Sequence, residues 1–390
     1  MRKKRRFKFV VIAAAASVIL LGSSEAKAQF EEAAEDAVSA YVLDAQTGQV
    51  LYQKNETEEL PPASMTKIMT MLLIMEALED EKIQLNDKVR TSNRAASMGG
   101  SQIFLEEGEV MTVDEMLKGI AVGSANDASV AMAEHISGSE GAFIEKMNQK
   151  AKSLDLEHTS FKNTTGLPAD KHYTSAQDLA AISRELLQYE KILEYTGLYE
   201  DYLRKGKDNE FWLVNTNRLV RHYDGVDGLK TGYTKEARYN LTATAEKNGM
   251  RIITVLMGAD SPKERNQITA SLLDDAFQHH EYHQLASKGD TVTSVRVEKG
   301  KHAEAEAVLE KDAGVVLRKG EDAGNITEEI KTKKIVTAPA SSGEQVGTIR
   351  YYNENDLLSE ADLVLKEDIV PAGWTELFGR SMQRMMGNAS

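Results

Sequence analysis

The chain has 390 residues, 41% of them hydrophobic, with a formal charge of −14 and no cysteine. That length favours two domains or more, and the composition supplies a sizeable core without a long polar tract that would stay disordered. The acidity excludes general electrostatic binding of nucleic acid, and the lack of thiols excludes disulfides, thiolate nucleophiles and cysteine-ligated metal.

The first thirty residues fall into three zones: a basic cluster from Arg2 to Lys8, an apolar stretch from Phe9 to Gly22, and the small-residue pattern Ala26-Lys27-Ala28. This order predicts a secretory signal peptide over 1–28, cleaved before Gln29, because the apolar run is short for a membrane span. Its removal takes away seven Lys/Arg and one Glu, a net +6, and leaves an exported chain of charge −20.

"AVSAYVLDAQTGQVLYQKN" (37–55) reads as two strands around a turn at Gly48. "PPASMTKIMTMLLIMEAL" (61–78) follows, apolar on nearly every side from Ile68 and so a buried helix. It opens with a hydroxyl, Ser64, placed within its first turn by the two prolines, and carries an amine, Lys67, three residues later. Residues 113–136 read as two helices broken at Gly123-Ser124; 140–156 and 175–195 are further helices by apolar spacing. Residues 239–259 are two strands joined at Asn248-Gly249, a strong hairpin signal. Strands, then helices, then strands predict an α+β domain with helices packed on an antiparallel sheet.

From about 285 to 370, segments such as "DTVTSVRVEKG", "GVVLRKG", "KIVTAP" and "GEQVGTIRYY" alternate apolar and polar residues between Gly and Pro punctuation. They predict a small all-β domain that spaces or docks the first. In the tail (371–390), Trp374, Leu377, Phe378, Met382, Met385 and Met386 share one helical face, with Glu376, Arg380, Gln383 and Arg384 on the other. Such a helix lies on a membrane surface or docks on its own domain.

Ser64 and Lys67, at i and i+3, share one helical face. The helix N-terminus favours negative charge on an alkoxide, and an amine kept neutral by burial can take the hydroxyl proton. The pattern S-x-x-K is weak alone: it also occurs at Ser24–Lys27, inside the signal peptide. Two further elements strengthen it. S-x-N occurs once, as Ser124-Ala125-Asn126, and K-[ST]-G once, as Lys230-Thr231-Gly232, at separations of 60 and 106 residues. This is the motif order of serine β-lactamases and penicillin-binding proteins.

On these motifs, and on "MNQKAKSLDLEHTSFKNTTGL", "DGLKTGYT" and "GADSPKERN", the chain from about residue 36 onward resembles the low-molecular-mass penicillin-binding proteins. These are serine D-alanyl-D-alanine carboxypeptidases of peptidase family S11, and the likeness is to the spore-associated type of bacilli. The resemblance implies a penicillin-recognising, β-lactamase-like catalytic domain over 29–284, a small β domain over 285–370, and an amphipathic anchor over 371–390 on the outer face of the cell membrane. It implies no cofactor and no metal. Its substrates would be peptidoglycan stem peptides ending in D-Ala-D-Ala, with β-lactams as covalent inhibitors.

Carried onto matching positions, the resemblance makes Ser64 the nucleophile, Lys67 its proton acceptor and Ser124 the proton relay to the leaving D-Ala. Asn126 would position the acyl donor, and Lys230, Thr231 and Gly232 would line the cleft. The backbone N–H groups of Ser64 and Tyr233 would form the oxyanion hole, and Arg265 would receive the terminal carboxylate. Where some members have His after K-T-G, this chain has Tyr233, which keeps the backbone donor and leaves any side-chain role open.

Rival readings use the same nucleophile, as a DD-endopeptidase, transpeptidase or β-lactamase, or make the chain a wall-binding scaffold that no longer catalyses. No clear E-x-x-L-N follows Asn126 to supply a deacylating carboxylate. His279, His280 and His283 lack an H-E-x-x-H pattern, so a zinc site is not expected.

Overall fold

The computed structural model describes residues 30–378. The signal peptide predicted over 1–28 and the tail beyond Phe378 lie outside the described residues. The chain divides into two compact units, one holding residues 30–45 and 50–279, the other residues 280–378 with the turn 46–49.

The first unit is built on a five-stranded antiparallel sheet. Strands β1 (Ser39–Asp44) and β2 (Val50–Lys54) come from the N-terminal hairpin, while β3 (Val226–Thr234), β4 (Arg238–Lys247) and β5 (Met250–Ala259) form a late meander. The spatial order is β2-β1-β5-β4-β3, so β1 pairs with β5 in the middle and β3 is left at one edge. Asn248-Gly249 closes the β4–β5 turn, with Lys247 opposite Met250.

Helix α1 (Lys67–Glu79) is the centre of the helical layer, and ten of its thirteen residues are buried. Around it run α2 (Val113–Gly123), α3 (Asn126–Ser137), α4 (Glu140–Ser153) and α5 (Ala176–Leu186). The apolar side chains of α1 join Tyr41, Leu43, Ile253, Val255 and Met257 of the sheet in one core. Alternate residues Val42, Ile252 and Leu256 are buried as well, and α6 (Pro262–His279) packs on β4 and β5. A sheet covered on both faces needs strands with apolar residues on both sides, and residues 252–257 are apolar but for the buried Thr254.

Local chemistry sets the helix ends. Thr112 and Glu115 form a reciprocal capping box at the start of α2, and Ser139 and Ser175 accept the Ala142 and Asp178 N–H groups to cap α4 and α5. The helix expected over 175–195 stops at Leu186, and separate short turns occupy Glu190–Ile192 and Leu193–Thr196.

The second unit is all β. Strand β6 (His280–Ala286) pairs with β9 (Ala313–Arg318). A larger sheet runs β10 (Ile326–Thr332), β11 (Gln345–Asn353), β12 (Asp356–Leu365), β8 (Glu304–Leu309), β7 (Thr291–Glu298), then the short strand Val336–Thr337. Val315 and Leu317 from the small sheet meet Val295, Ile349, Tyr351 and Leu363 from the large one in a common core. The unit begins at His280, and the boundary expected at 284/285 falls inside β6. "HEYHQLA" carries too few apolar residues to announce a strand, and the pairing with "AGVVLR" decides it.

In the last described stretch, residues 374–378 are helical. Trp374 and Phe378 stack with ring centroids 5.6 Å apart, and both are exposed. No helix among the described residues is long and apolar enough to cross a membrane.

Candidate active site

Ser64 does not sit in the first turn of α1. It lies in a 3-10 turn, Ala63–Thr66, that runs directly into α1 at Lys67. In 3-10 winding residues i and i+3 eclipse, so Ser64 and Lys67, across the junction with α1, project on the same side. Lys67 Nζ lies 3.2 Å from Ser64 Oγ and donates to the Thr165 carbonyl at 2.7 Å.

Lys67 is completely buried. Burial, and then the nearby charge of Lys230, hold its amine well below the ordinary lysine range, while Asp127 opposes in part. Each of the two larger influences favours the neutral amine, whose lone pair can accept a proton.

The backbone ahead of Ser64 is strained. Ala63 has φ 48°, left-handed for a residue with a Cβ, which costs on the order of 1–2 kcal/mol. Two glycines press on this turn. A Cβ on Gly166 would lie 1.7 Å from the Ala63 carbonyl oxygen, and one on Gly232 would lie 2.7 Å from that of Pro62. The third residue of K-T-G is therefore glycine so that edge strand β3 can lie against the turn carrying Ser64.

The S-x-N element caps one helix and starts the next. Ser124 adopts φ 60° at the end of α2, and Asn126 opens α3. Asn126 Nδ2 donates to the Gly99 carbonyl at 2.7 Å. Ser124 Oγ and Asn126 Oδ1 are both buried with no hydrogen-bond partner. Each such group costs about 1–3 kcal/mol, so two of them side by side in a native fold need a reason.

The neighbouring Asp127 is buried and accepts from the N–H groups of Ile103 and Leu105 at 3.1 and 3.0 Å. Arg204 holds the same loop from its other side, donating to the Ile103 carbonyl at 3.0 Å and pairing in two-pronged fashion with Glu109. Asp127 directly follows the S-x-N element and Arg204 lies outside every motif; the role of each comes from contacts across 24 and 101 residues of sequence.

On β3, Lys230 is buried and its Nζ donates to the Thr231 carbonyl at 3.2 Å. Burial and the guanidinium of Arg265 pull its amine down to about 7. Thr231 Oγ1 donates to Thr216 Oγ1 at 2.8 Å, which brings in a residue that carries no sequence signal. Tyr233 is 55% exposed and stacks on Tyr239, its cross-strand partner, at 4.4 Å. Tyr239 in turn lies within electrostatic reach of Arg265.

Arg265, in the first turn of α6, is buried, and its Nε and Nη2 both donate to Asn266 Oδ1. No carboxylate pairs with it among the described residues, and burial lowers it to about 10. A buried guanidinium close enough to depress a buried amine, with no ion pair to a carboxylate among the described residues, creates a positive potential that favours an anion.

His172 ties the segment after α4 to the nucleophile turn. Its Nδ1 accepts the Lys162 N–H at 2.9 Å, so the ring proton is on Nε2, which lies 2.9 Å from Thr66 Oγ1. Burial, then the charge of Lys162, depresses it to about 4. The unfolded chain takes up this proton near 6.5 and the fold only near 4. The contribution is therefore complete above about pH 6.5 and is lost as the pH falls toward 4, a total of roughly 3 kcal/mol. His172→Gln is expected to flatten the fall in melting temperature between pH 6.5 and 4; an unchanged slope would remove His172 from this role.

Among the described residues no group of three or more His, Asp or Glu is arranged to hold a metal. His279 ends α6 and His283 lies on β6, so the i, i+4 spacing does not place them on one helix.

Two family models match the chain: D-alanyl-D-alanine carboxypeptidase (peptidase S11) over residues 25–261, and penicillin-binding protein 5, C-terminal domain, over residues 280–371. The chain is 54% identical to the D-alanyl-D-alanine carboxypeptidase DacF of Bacillus subtilis over 351 residues, covering 90% of each chain. It is 31% identical to DacA of Escherichia coli K12 over 357 residues, 88% of this chain and 86% of the relative. Among solved structures, penicillin-binding protein 5 of Haemophilus influenzae superposes with a TM-score of 0.70 at 29% identity, over 86% of this chain and 98% of the other. Penicillin-binding protein D2 of Listeria monocytogenes in its ampicillin-bound form superposes at 0.56 with 28% identity, over 62% of this chain and 98% of the other. With the sequence motifs, the site geometry and these likenesses in agreement, the chain belongs to the D-alanyl-D-alanine carboxypeptidase family, peptidase S11.

Proposed function

We propose that the protein removes the terminal D-Ala from peptidoglycan stem peptides through an acyl-enzyme on Ser64. One observation carries the reading: a fully buried lysine, its charge disfavoured, lies 3.2 Å from a serine hydroxyl in the 3-10 turn that leads into α1. Ser64 Oγ attacks the carbonyl of the penultimate D-Ala while Lys67 Nζ takes its proton. The backbone N–H groups of Ser64 and Tyr233 stabilise the oxyanion. Ser124 Oγ passes a proton to the departing amine, which leaves as D-Ala, and water then hydrolyses the ester. The two unpartnered buried oxygens gain their purpose here, Ser124 Oγ as relay and Asn126 Oδ1 as acceptor for an amide N–H of the acyl donor.

The terminal carboxylate of the substrate suits Arg265 and Lys230, with Thr231 and the Gly232 backbone lining the same strand. An anion within reach of both cations relieves their mutual repulsion and returns Lys230 to its charged form, so the site selects a peptide with a free C-terminus. The exposed, stacked Trp374 and Phe378 of the helical stretch 374–378 support attachment to the outer face of the cell membrane after export. β-Lactams, which present a strained amide and a carboxylate, fit the same groups as covalent inhibitors.

Incubation with a peptide ending in D-Ala-D-Ala is expected to release one D-Ala per peptide. Peptide left intact, or cut only inside cross-linked stems, would overturn the carboxypeptidase reading.

A further inference from the structure

We propose that Asn163 is a positioning residue for this reaction: its side-chain amide fixes the turn that presents the Thr165 carbonyl to Lys67, and so orients the lysine's lone pair toward Ser64. The inference rests on the reading of Lys67 as proton acceptor.

The stretch 161–173 contains no helix or strand, yet it is tied down along its length. Asn148 on α4 clasps Phe161 by both its N–H and its carbonyl, each at 2.9 Å. Thr70 Oγ1 donates to the Thr164 carbonyl at 2.8 Å, and His172 joins Lys162 to Thr66. Asn163 organises the tip. Its Oδ1 accepts from Gly166 N at 2.7 Å and from both Thr165 N and Thr165 Oγ1 at 3.1 Å, while its Nδ2 donates to the Leu167 carbonyl at 2.8 Å. An Asn side chain bonding the backbone two and three residues ahead replaces the hydrogen bonds a regular turn would make.

The consequence falls on Lys67. A neutral amine has two N–H bonds and one lone pair, and it rotates about its last C–N bond unless something holds it. One N–H is engaged by the Thr165 carbonyl at 2.7 Å, which leaves the lone pair free to face Ser64 Oγ at 3.2 Å. The other charged groups facing this amine are Lys230 from β3 and Asp127 from α3. Neither carries a hydrogen bond to Nζ in the structure, so orientation depends on Thr165, and the position of Thr165 depends on Asn163.

Asn163→Ala and Asn163→Asp test this in the full chain, with acylation by a fluorescent penicillin followed from pH 5 to 9, peptide kcat and KM measured, and melting temperature recorded. Asn163→Ala is expected to slow acylation and kcat by about 100-fold with KM little changed, the scale of a small misplacement of a reacting group. Asn163→Asp keeps the Oδ1 acceptor for Thr165 and Gly166 and loses the Nδ2 donor to the Leu167 carbonyl, so the Thr165 side of the turn is expected to hold. Its carboxylate favours the ammonium form of Lys67, so acylation persists with the acid limb of its profile moved to higher pH. Acylation by Asn163→Ala within threefold of the parent, or an Asn163→Asp profile that superimposes on the parent's, would overturn the proposal. If Asn163→Ala does not fold, the Asn163→Asp profile alone decides. Acylation of the parent protein on Ser64 in the same experiment shows whether a failure belongs to this inference or to the catalytic reading beneath it.

Discussion

Lys67→Met is expected to lower the rate of acylation by ~10³–10⁴-fold and to leave the protein at least as stable as before. The two effects have opposite signs for one reason. Lys67 is buried among the apolar residues of α1, where an amine is costly and a thioether of similar length is not. On the proposed mechanism the fold keeps the lysine against its own stability because an amine whose charge is disfavoured there serves as the base for Ser64. Ser64→Ala goes further, since it removes the atom that forms the bond; D-Ala release falls to background and no penicilloyl adduct forms. Penicillin acylation and a thermal melt on the same samples check both parts. A Lys67→Met protein that acylates at the parent rate would show that the proton goes elsewhere, and one that melts far lower would show that Lys67 is structural.

The second large effect is expected from Gly166→Ala, a change of one methyl group outside the S-x-x-K, S-x-N and K-T-G motifs. Gly166 has φ 85°, and its added Cβ would meet the Ala63 carbonyl oxygen at 1.7 Å and the Ser64 nitrogen at 2.9 Å. Neither neighbour is a flexible side chain, so backbone must move. The Ala63 turn is already left-handed, and room is made by moving either that turn with its serine or the turn that brings the Thr165 carbonyl to Lys67. Acylation is expected to fall by ~100-fold or more, because a displacement of about 1 Å at a reacting atom is enough. Stability should fall by a few kcal/mol from the clash and the left-handed alanine together. A melting temperature and an acylation rate both close to the parent's would contradict the packing described here.

Much of the catalytic layout is legible in the amino-acid sequence because each element carries its own local signal. Asn248-Gly249 announces a hairpin, the Gly123-Ser124 break separates two helices, and the all-round apolar pattern after Lys67 requires a buried helix. The three motifs work as a set, since S-x-x-K alone also matches within the first 28 residues. What stays hidden depends on contacts between distant segments. The 3-10 turn under Ser64 is held by Gly166 and Gly232, which approach it from far along the chain. Thr165 acts through its carbonyl, which any residue has, so no residue type could reveal it. Asp127 and Thr216 acquire partners only when loops 22 to 24 and 15 residues away fold against them. Asn163 and Gly166 do leave a trace: Asn-x-x-Gly is turn chemistry, readable as a turn but not as one aimed at a lysine. The start of the second unit at His280 is hidden as well, because β6 is mostly half-exposed and takes its strand character from β9.

The rival β-lactamase reading separates from the carboxypeptidase reading at deacylation. The segment that reaches Lys67 is Phe161–Leu167, "FKNTTGL", and it brings a carbonyl to the amine with no carboxylate to activate water against the ester. The penicilloyl ester should therefore form and persist. Mass spectrometry of the intact and digested protein after penicillin treatment tests the central claim most directly. The account predicts one penicilloyl group per chain, located on the peptide containing Ser64 and stable over many minutes. No adduct, an adduct on another residue, or rapid loss of the adduct with turnover of penicillin would contradict it.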